Sequence, residues 1–141
     1  MTLDFDSIDK GTELPELERG PLTELQFVRY AGASGDFNPI HVVPRVAQFV
    51  GLDGVIAHGM LVMAYATTML TDWAGVGAVR RLKVRFSDTS HPGEELVCRG
   101  RVTGKETVDG ENLVHGKLTV KGKADDSLKL KGDFTVVVGS R

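Results

Sequence analysis

Residues 59–73 constrain the fold more than any other part of the chain, because they predict a helix that is apolar on nearly every side. Thr67, Thr68 and Thr71 contribute only weakly polar side chains to it. Such a helix has to be enclosed on most sides by other parts of the protein. It is too short, and too polar at His58 where it starts, to span a membrane. The chain has 141 residues, so the sequence predicts a single domain over residues 1–141 with this helix at its centre.

The second half of the chain predicts strands that can enclose this helix. From residue 81 to residue 138, apolar and polar residues alternate with the period of two that is typical of strands with one dry and one wet face. The dry positions are Leu82, Val84, Phe86, Leu96, Cys98, Val102, Val114, Leu118, Val120, Leu128, Leu130, Phe134, Val136 and Val138. The wet positions are Arg81, Lys83, Arg85, Val97, Arg99, Arg101, His115, Lys117, Lys121, Lys129, Lys131 and Asp133. With turns at 109–110 and 125–126, this pattern predicts an α+β fold, a curved antiparallel sheet wrapped around one long central helix.

Two shorter helices are predicted before the central one. Thr23 followed by Gln26 has the pattern of a capping box, which predicts a helix over 25–31 that ends in the glycine-containing residues 32–35. Pro44 favours the first position of a second helix, which Gly51 ends. The first half of the chain is therefore expected to be helical and loop-like.

The charge balance excludes two classes of partner. The chain has 17 lysines and arginines against 19 aspartates and glutamates, and its net charge of -2 gives no overall attraction for nucleic acid or an anionic membrane. The acidic start, residues 1–6, does not fit a signal peptide, so a soluble cytoplasmic protein is expected. The single cysteine, Cys98, excludes an intrachain disulfide and predicts a buried, inert thiol.

Residues 34–41 contain the side chains best suited to chemistry. Asn38 precedes a proline, which disfavours helix and predicts a loop that brings Asp36 and His41 together. A carboxylate and an imidazole placed in this way can hold a water between them and move its protons. The same residue types are common turn formers, so a purely conformational role is the alternative. His41 and His58 have no carboxylate or cysteine at the spacing of metal ligands, so no metal site is predicted.

Gly59 is the next candidate, because it stands where the central helix should expose free N–H groups and its positive end. A residue without a side chain lets a carbonyl oxygen approach its N–H closely. The alternative is that Gly59 only permits close packing of the helix. The residues alone leave both interpretations open.

The stretches YAGASGDFNPIH at 30–41 and GLDGVIAHGM at 51–60 resemble the signature of the (R)-specific enoyl hydratases in the MaoC-like family. The resemblance implies the hot-dog fold, a curved antiparallel sheet around one long helix, usually in a dimer. It covers the chain from end to end in length and element order, and more loosely in the strands. Within the family, the chain is most similar to the catalytic B subunit of mycobacterial-type (3R)-hydroxyacyl-carrier-protein dehydratases, which elongate fatty acids together with a non-catalytic subunit.

The resemblance implies a reaction and the residues that perform it. The reaction is the reversible hydration and dehydration between trans-2-enoyl and (3R)-3-hydroxyacyl thioesters in fatty-acid metabolism, with no cofactor. Asp36 and His41 would be the catalytic residues, Gly59 would bind the thioester carbonyl oxygen, and Asn38 would support the loop. The family commonly has an acidic residue at the second position after the histidine, whereas Val42-Val43-Pro44 follows here. This departure concerns the local geometry of the loop more than the chemistry.

The resemblance also implies partners. The substrate would be a thioester of coenzyme A or of an acyl carrier protein, and the chain would form a homodimer or a heterodimer with a related subunit. Arg81, Lys83 and Arg85, on the wet face of one strand, are candidates for binding the phosphates of the thioester arm or an acidic carrier protein. The alternative for these three is an ordinary solvated strand face.

Two other functions are weighed against hydration. A hot-dog thioesterase usually has a carboxylate on or near the central helix, and residues 59–71 contain none. A non-catalytic acyl-binding partner subunit would be expected to lack the pair of Asp36 and His41. The sequence therefore favours the hydratase.

Overall fold

One antiparallel sheet packs against the long helix in the computed structural model, which describes residues 3–139. Met1, Thr2, Ser140 and Arg141 lie outside this range. The first two residues of the acidic start and the two ends of the predicted domain are therefore outside the described residues. The elements are β1 (Leu17–Arg19), α1 (Glu24–Ser34), α2 (Pro44–Phe49), α3 (Gly59–Ala74), β2 (Val79–Phe86), β3 (Leu96–Val108), β4 (Glu111–Gly122) and β5 (Leu128–Val137). A turn of 3-10 helix, Pro39–His41, lies between α1 and α2. The order of strands across the sheet is β1-β3-β4-β5-β2.

The core lies between α3 and one face of this sheet. The helix buries Leu61, Val62, Ala66, Met69 and Leu70. On the sheet side, the buried positions include Leu96, Cys98, Val102, Val114, Leu118, Val120, Leu130, Phe134 and Val136, all predicted as dry. The predicted α+β architecture is therefore confirmed, and the alternation along the strands identified its core face.

Local signals place the predicted helices and turns where the structure has them. Thr23 Oγ1 accepts a hydrogen bond from Gln26 N–H at 3.2 Å, and Gln26 Oε1 accepts one from Thr23 N–H at 3.0 Å, which completes the capping box of α1. Gly35 ends that helix with φ of 76°, a left-handed conformation that suits glycine. The predicted turn at 109–110 joins β3 to β4 with positive φ at both residues.

The structure differs from the predictions made from the sequence in two respects. The three-residue strand β1 was not predicted, because its partner β3 is far away in the chain and three residues carry no periodic pattern. Val97 and Lys129, predicted as wet, are both buried, and Phe86, predicted as dry, is 47% exposed. Lys129 is only 2% exposed because the connection between β2 and β3 folds over it, and its Nζ donates to Thr89 O at 2.8 Å and to Glu94 Oε1 at 3.3 Å.

The enclosure of α3 within one chain is only partial. The sheet covers one side of the helix, whereas Met60 at its start is 55% exposed and Met63, Ala64 and Tyr65 are half-buried. The expected burial on most sides is therefore not complete in a single copy. Among residues 3–139, no helix has the length and apolar character needed to cross a membrane.

Gly116→Ala tests the packing of the sheet on its core face. Gly116 lies opposite Phe134 in the register of β4 and β5, and the Phe134 ring occupies the space that a side chain at 116 would need. We expect the substitution to lower the free energy of unfolding by about 1–3 kcal/mol, because the ring or the backbone has to move. Gly104→Ala is the control, since an added methyl group there meets no atom within 4 Å. Equal urea midpoints for the two variants would contradict this packing.

Candidate active site

The loop after α1 is shaped by short polar side chains. Ser34 Oγ accepts a hydrogen bond from Asp36 N–H at 3.2 Å, and Asp36 Oδ1 accepts one from Asn38 N–H at 3.2 Å. Asn38 Oδ1 in turn accepts from Ile40 N–H at 3.3 Å and so caps the 3-10 turn that carries His41. The turn-forming role that the sequence offered as an alternative is therefore present. It occupies one oxygen of Asp36 and leaves Oδ2 free of these turn contacts.

The loop brings Asp36 and His41 together. The His41 side chain is buried, and its Nδ1–H donates to Ile56 O at 2.8 Å. Because a carbonyl oxygen only accepts, this contact leaves Nε2 as the acceptor in the neutral ring. Nε2 lies 3.9 Å from Asp36 Oδ2, too far for a direct hydrogen bond. A water that donates to both atoms fits this separation.

His58 is a site residue that the sequence analysis left without a role. It is 1% exposed, and its ring stacks on that of His41 with 3.9 Å between the centroids and 25° between the planes. Its Nε2–H donates to Asp36 O at 3.0 Å, while its Nδ1 is buried without a partner among residues 3–139. His58 therefore contacts both members of the pair. It donates a hydrogen bond to the backbone carbonyl of Asp36, and its ring stacks on the ring of His41. The motif around Gly59 contains this histidine, but no spacing rule pointed to its contacts.

Asp36, His41 and His58 also form a cluster that their spacing along the chain did not predict. Their candidate ligand atoms lie within 4.8 Å of one another, which brings His58 to the pair of Asp36 and His41 that the sequence predicted. Two of the histidine nitrogens already donate to backbone carbonyls. That the site functions without a metal stays a prediction.

Gly59 is the first residue of α3, as predicted. His58 precedes it without a side-chain cap, and the first N–H groups of a helix have no partner within it. Within residues 3–139, Gly59 N–H makes no backbone hydrogen bond. A Cβ at Gly59 would come within 3.1 Å of the Phe86 ring. The missing side chain therefore also lets the start of α3 pack closely against Phe86 of β2. The structure therefore agrees with the packing interpretation, and the binding of a carbonyl oxygen at Gly59 stays a prediction.

A cavity of about 420 Å³ lies beside this cluster, and His41 and Gly59 contribute to its lining. Ile56, Ala57, Val62 and Phe86 form an apolar wall. Residues 87–90 and Lys129 form a polar wall. The cavity thus presents a histidine and a helix N-terminus to a ligand that has an apolar part and a polar part.

The three basic residues of β2 lie elsewhere. Arg81, Lys83 and Arg85 line a separate groove of about 430 Å³ together with Lys117 and Lys131. The groove and the cavity share no residue, although Arg85 in the groove directly precedes Phe86 in the cavity. Because consecutive side chains of a strand point to opposite faces, the groove and the cavity lie on opposite faces of the sheet at the C-terminal end of β2.

Cys98 contributes no nucleophile. It is fully buried in β3, and this burial raises the pKa of its thiol to about 12. The thiol keeps its proton at neutral pH and packs as a small apolar side chain, as predicted.

Comparison with known sequences gives a consistent picture. Residues 9–124 match the family described as the MaoC like domain. The chain is 37% identical over 111 residues to a fatty acid synthase beta subunit, pkiC, of Emericella nidulans, a match of 76% of this chain and 6% of that protein. It is 34% identical over 92 residues to the peroxisomal hydratase-dehydrogenase-epimerase of Neurospora crassa, a match of 64% of this chain and 10% of that protein. The chain therefore corresponds to a small part of these relatives.

Solved structures share the fold. The unliganded R-hydratase PhaJ1 from Pseudomonas aeruginosa superposes with a TM-score of 0.83 at 22% identity, over 97% of this chain and 86% of that one. A structure described as a MaoC-like dehydratase gives a TM-score of 0.82 at 31% identity, over 98% of this chain and 43% of that one. These superpositions confirm the predicted hot-dog architecture.

Proposed function

The chain belongs to the MaoC-like domain family, and from this premise we propose that it interconverts trans-2-enoyl and (3R)-3-hydroxyacyl thioesters by reversible hydration. The observation that carries the proposal is the separation of 3.9 Å between Asp36 Oδ2 and His41 Nε2. His41 lines a cavity that also contains the start of α3, and Asp36 stands next to His41. The arrangement suits a reaction that adds water next to a polarised carbonyl group.

The pair of Asp36 and His41 handles the water. In the hydration direction, the water donates one hydrogen bond to Asp36 Oδ2 and one to His41 Nε2, which leaves its oxygen free to attack C3. As the oxygen–carbon bond forms, the pair takes one proton from the water. The electrons of the double bond move toward the thioester oxygen, and the pair returns a proton to C2 on the same face. Dehydration is the reverse sequence, so atoms and charges balance in both directions.

Gly59 N–H stabilises the charge that this reaction creates. The thioester oxygen becomes enolate-like in the transition state, and an N–H at the positive end of α3 donates to it. A positioned acid–base pair contributes about 10²–10⁴ in rate. One oxyanion donor contributes about 10²–10³. The bonds from His41 to Ile56 O and from His58 to Asp36 O fix the pair before substrate arrives.

Asp36→Asn and His41→Ala test the catalytic pair. Each is expected to lower the hydration of crotonyl-CoA by about two to four orders of magnitude, because either change removes an acceptor for the water. Loss of the enoyl absorbance measures the rate, and a parallel assay for free thiol detects thioester hydrolysis. Because the two groups share one water, the double variant should lose far less than the product of the single losses.

The control for this test is Asp72→Asn, which removes an exposed carboxylate near the other end of α3 and should retain wild-type turnover. Asp36→Asn keeps the side-chain acceptor for Asn38 N–H, so its thermal midpoint should stay close to that of the wild type. Turnover close to wild type in either single variant would refute the mechanism. Release of thiol without loss of the enoyl group would indicate a thioesterase.

We also propose that two copies of the chain associate, with a heterodimer with a related subunit as the alternative. The supporting observation is that β2 lies at the edge of the sheet, with eight residues whose outer side pairs with no described strand. An unpaired edge favours pairing with another chain. A second copy would also cover Met60, which a single copy leaves exposed.

Light scattering at micromolar concentration tests this association. A homodimer should give about twice 15.2 kDa, and it should hydrate crotonyl-CoA without any added protein. A monomer that is inactive alone would favour the related subunit. An active monomer would contradict both forms of the proposal.

The basic groove is proposed to attract the anionic part of the substrate's carrier. Within residues 3–139, Arg81, Lys83 and Arg85 have no carboxylate within salt-bridge distance, whereas neighbouring Arg80 pairs with Glu111 at 2.7 Å. Arg85 stands opposite Lys131 in the register of β2 and β5, and like charges in that position are unfavourable until an anion binds. The phosphates of coenzyme A and an acidic carrier protein both supply such an anion.

Lys83→Glu combined with Arg85→Glu tests the groove. The double variant should raise KM for crotonyl-CoA and leave kcat unchanged, because surface charges mainly steer encounter. The effect should fade with salt, since the Debye length is about 8 Å at physiological ionic strength. Crotonyl-N-acetylcysteamine carries no phosphate and serves as the control substrate. An unchanged KM for crotonyl-CoA at low salt would assign these residues to a solvated face.

A further inference from the structure

Ser90 carries a hydroxyl group that the folded chain leaves unsatisfied. The residue is 2% exposed, and its Oγ has no hydrogen-bond partner within residues 3–139. Buried polar groups are nearly always paired, because an unpaired one costs folding free energy. Ser90 belongs to the lining of the same cavity as His41 and Gly59. Its missing partner is therefore expected among the atoms of a ligand.

Hydrogen bonds on both sides hold Ser90 in place. Ala57 N–H donates to Ser90 O at 2.8 Å. Ile56 directly precedes Ala57, and its carbonyl oxygen accepts from His41 Nδ1–H at 2.8 Å. The serine is thus connected through one short backbone segment to the catalytic histidine. On its other side, Lys129 Nζ donates to Thr89 O at 2.8 Å. The hydroxyl is therefore presented by a fixed wall.

The two walls of the cavity suit the two halves of a thioester. With the thioester oxygen at Gly59 N–H, the apolar wall of Ile56, Val62 and Phe86 suits hydrocarbon. The polar wall at 87–90 suits a group that forms hydrogen bonds. Coenzyme A and carrier proteins present the acyl group on the same arm, in which two carbons join the sulfur to a secondary amide. An amide offers both a donor and an acceptor, and a serine hydroxyl can pair with either.

We propose that Ser90 Oγ forms a hydrogen bond with this first amide, so that residues 87–90 form a subsite for the thioester's arm. The inference rests on the proposed hydration of enoyl thioesters and adds to it a residue that recognises the carrier side of the substrate. The amide is common to both carriers, so the subsite accepts either. Ser90 acts on the amide two carbons from the sulfur, and this role is independent of the basic groove, which shares no residue with the cavity.

The test compares two substrates in wild type and Ser90→Ala. Crotonyl-N-acetylcysteamine contains the amide, and the S-pentyl thioester of crotonic acid replaces the amide with two methylene groups. We expect Ser90→Ala to lower kcat/KM for the first substrate by about 3- to 10-fold, as befits one neutral hydrogen bond. The S-pentyl thioester should react at an unchanged rate. The thermal midpoint of Ser90→Ala should equal or exceed that of the wild type, because the variant removes an unpaired buried group.

Ser7→Ala is the matched control, since it makes the same substitution at an exposed serine that lies outside the cavity lining. It should leave both substrates and the thermal midpoint unchanged. An equal loss for both substrates, an unchanged rate with the amide substrate, or a lower midpoint of Ser90→Ala would overturn the inference while the hydratase proposal stands. If the wild type hydrates neither substrate, the proposed function fails, and this inference fails with it.

Discussion

The backbone of Ile56 and Ala57 is the junction on which the arrangement of the site depends. Ile56 N–H donates to Ile40 O at 3.3 Å, and Ile56 O orients the ring of His41. Ala57 N–H reaches in the other direction, to Ser90 O. Three segments that are distant in the sequence are thus joined by two consecutive residues just before α3. The loop, the helix N-terminus and the cavity wall take their relative positions from these bonds.

The junction is held because the helix that follows it is fixed in the core. Leu61 and Val62, in the first turn of α3, are buried against the sheet, and the packing of apolar side chains tolerates little displacement. Phe86 packs against Gly59 and adds a contact from β2. The proposed catalytic pair stands on a loop, residues 34–41, in which His41 alone is buried. Its geometry is therefore a consequence of core packing transmitted through α3.

Much of this was predictable from the sequence, and the exceptions have a common cause. The capping box of α1, the bounds of α3 and the turn at 109–110 depend on neighbouring residues, so local patterns identified them. Strand β1, the burial of Lys129 and the stacking of His58 on His41 depend on contacts between distant residues. Lys129 shows the reason clearly, because its alternation with Leu128 and Leu130 is that of a wet position. Only the folding of the β2–β3 connection over its ammonium group makes it a buried one. The burial of the Ser90 hydroxyl without a hydrogen-bond partner likewise depends on residues that are distant in the sequence.

The strand order has a consequence for how the protein folds. Strands β3, β4 and β5 are joined by short connections and can pair as soon as they are made, whereas β1 has to wait for β3, and α3 for the face of the sheet. During synthesis, Asp36, His41 and Gly59 leave the ribosome long before Ser90 and the strands that position them. The residues proposed to handle the water are therefore made before the strands that complete their surroundings. A nascent chain carries the whole signature motif while it still has no active site.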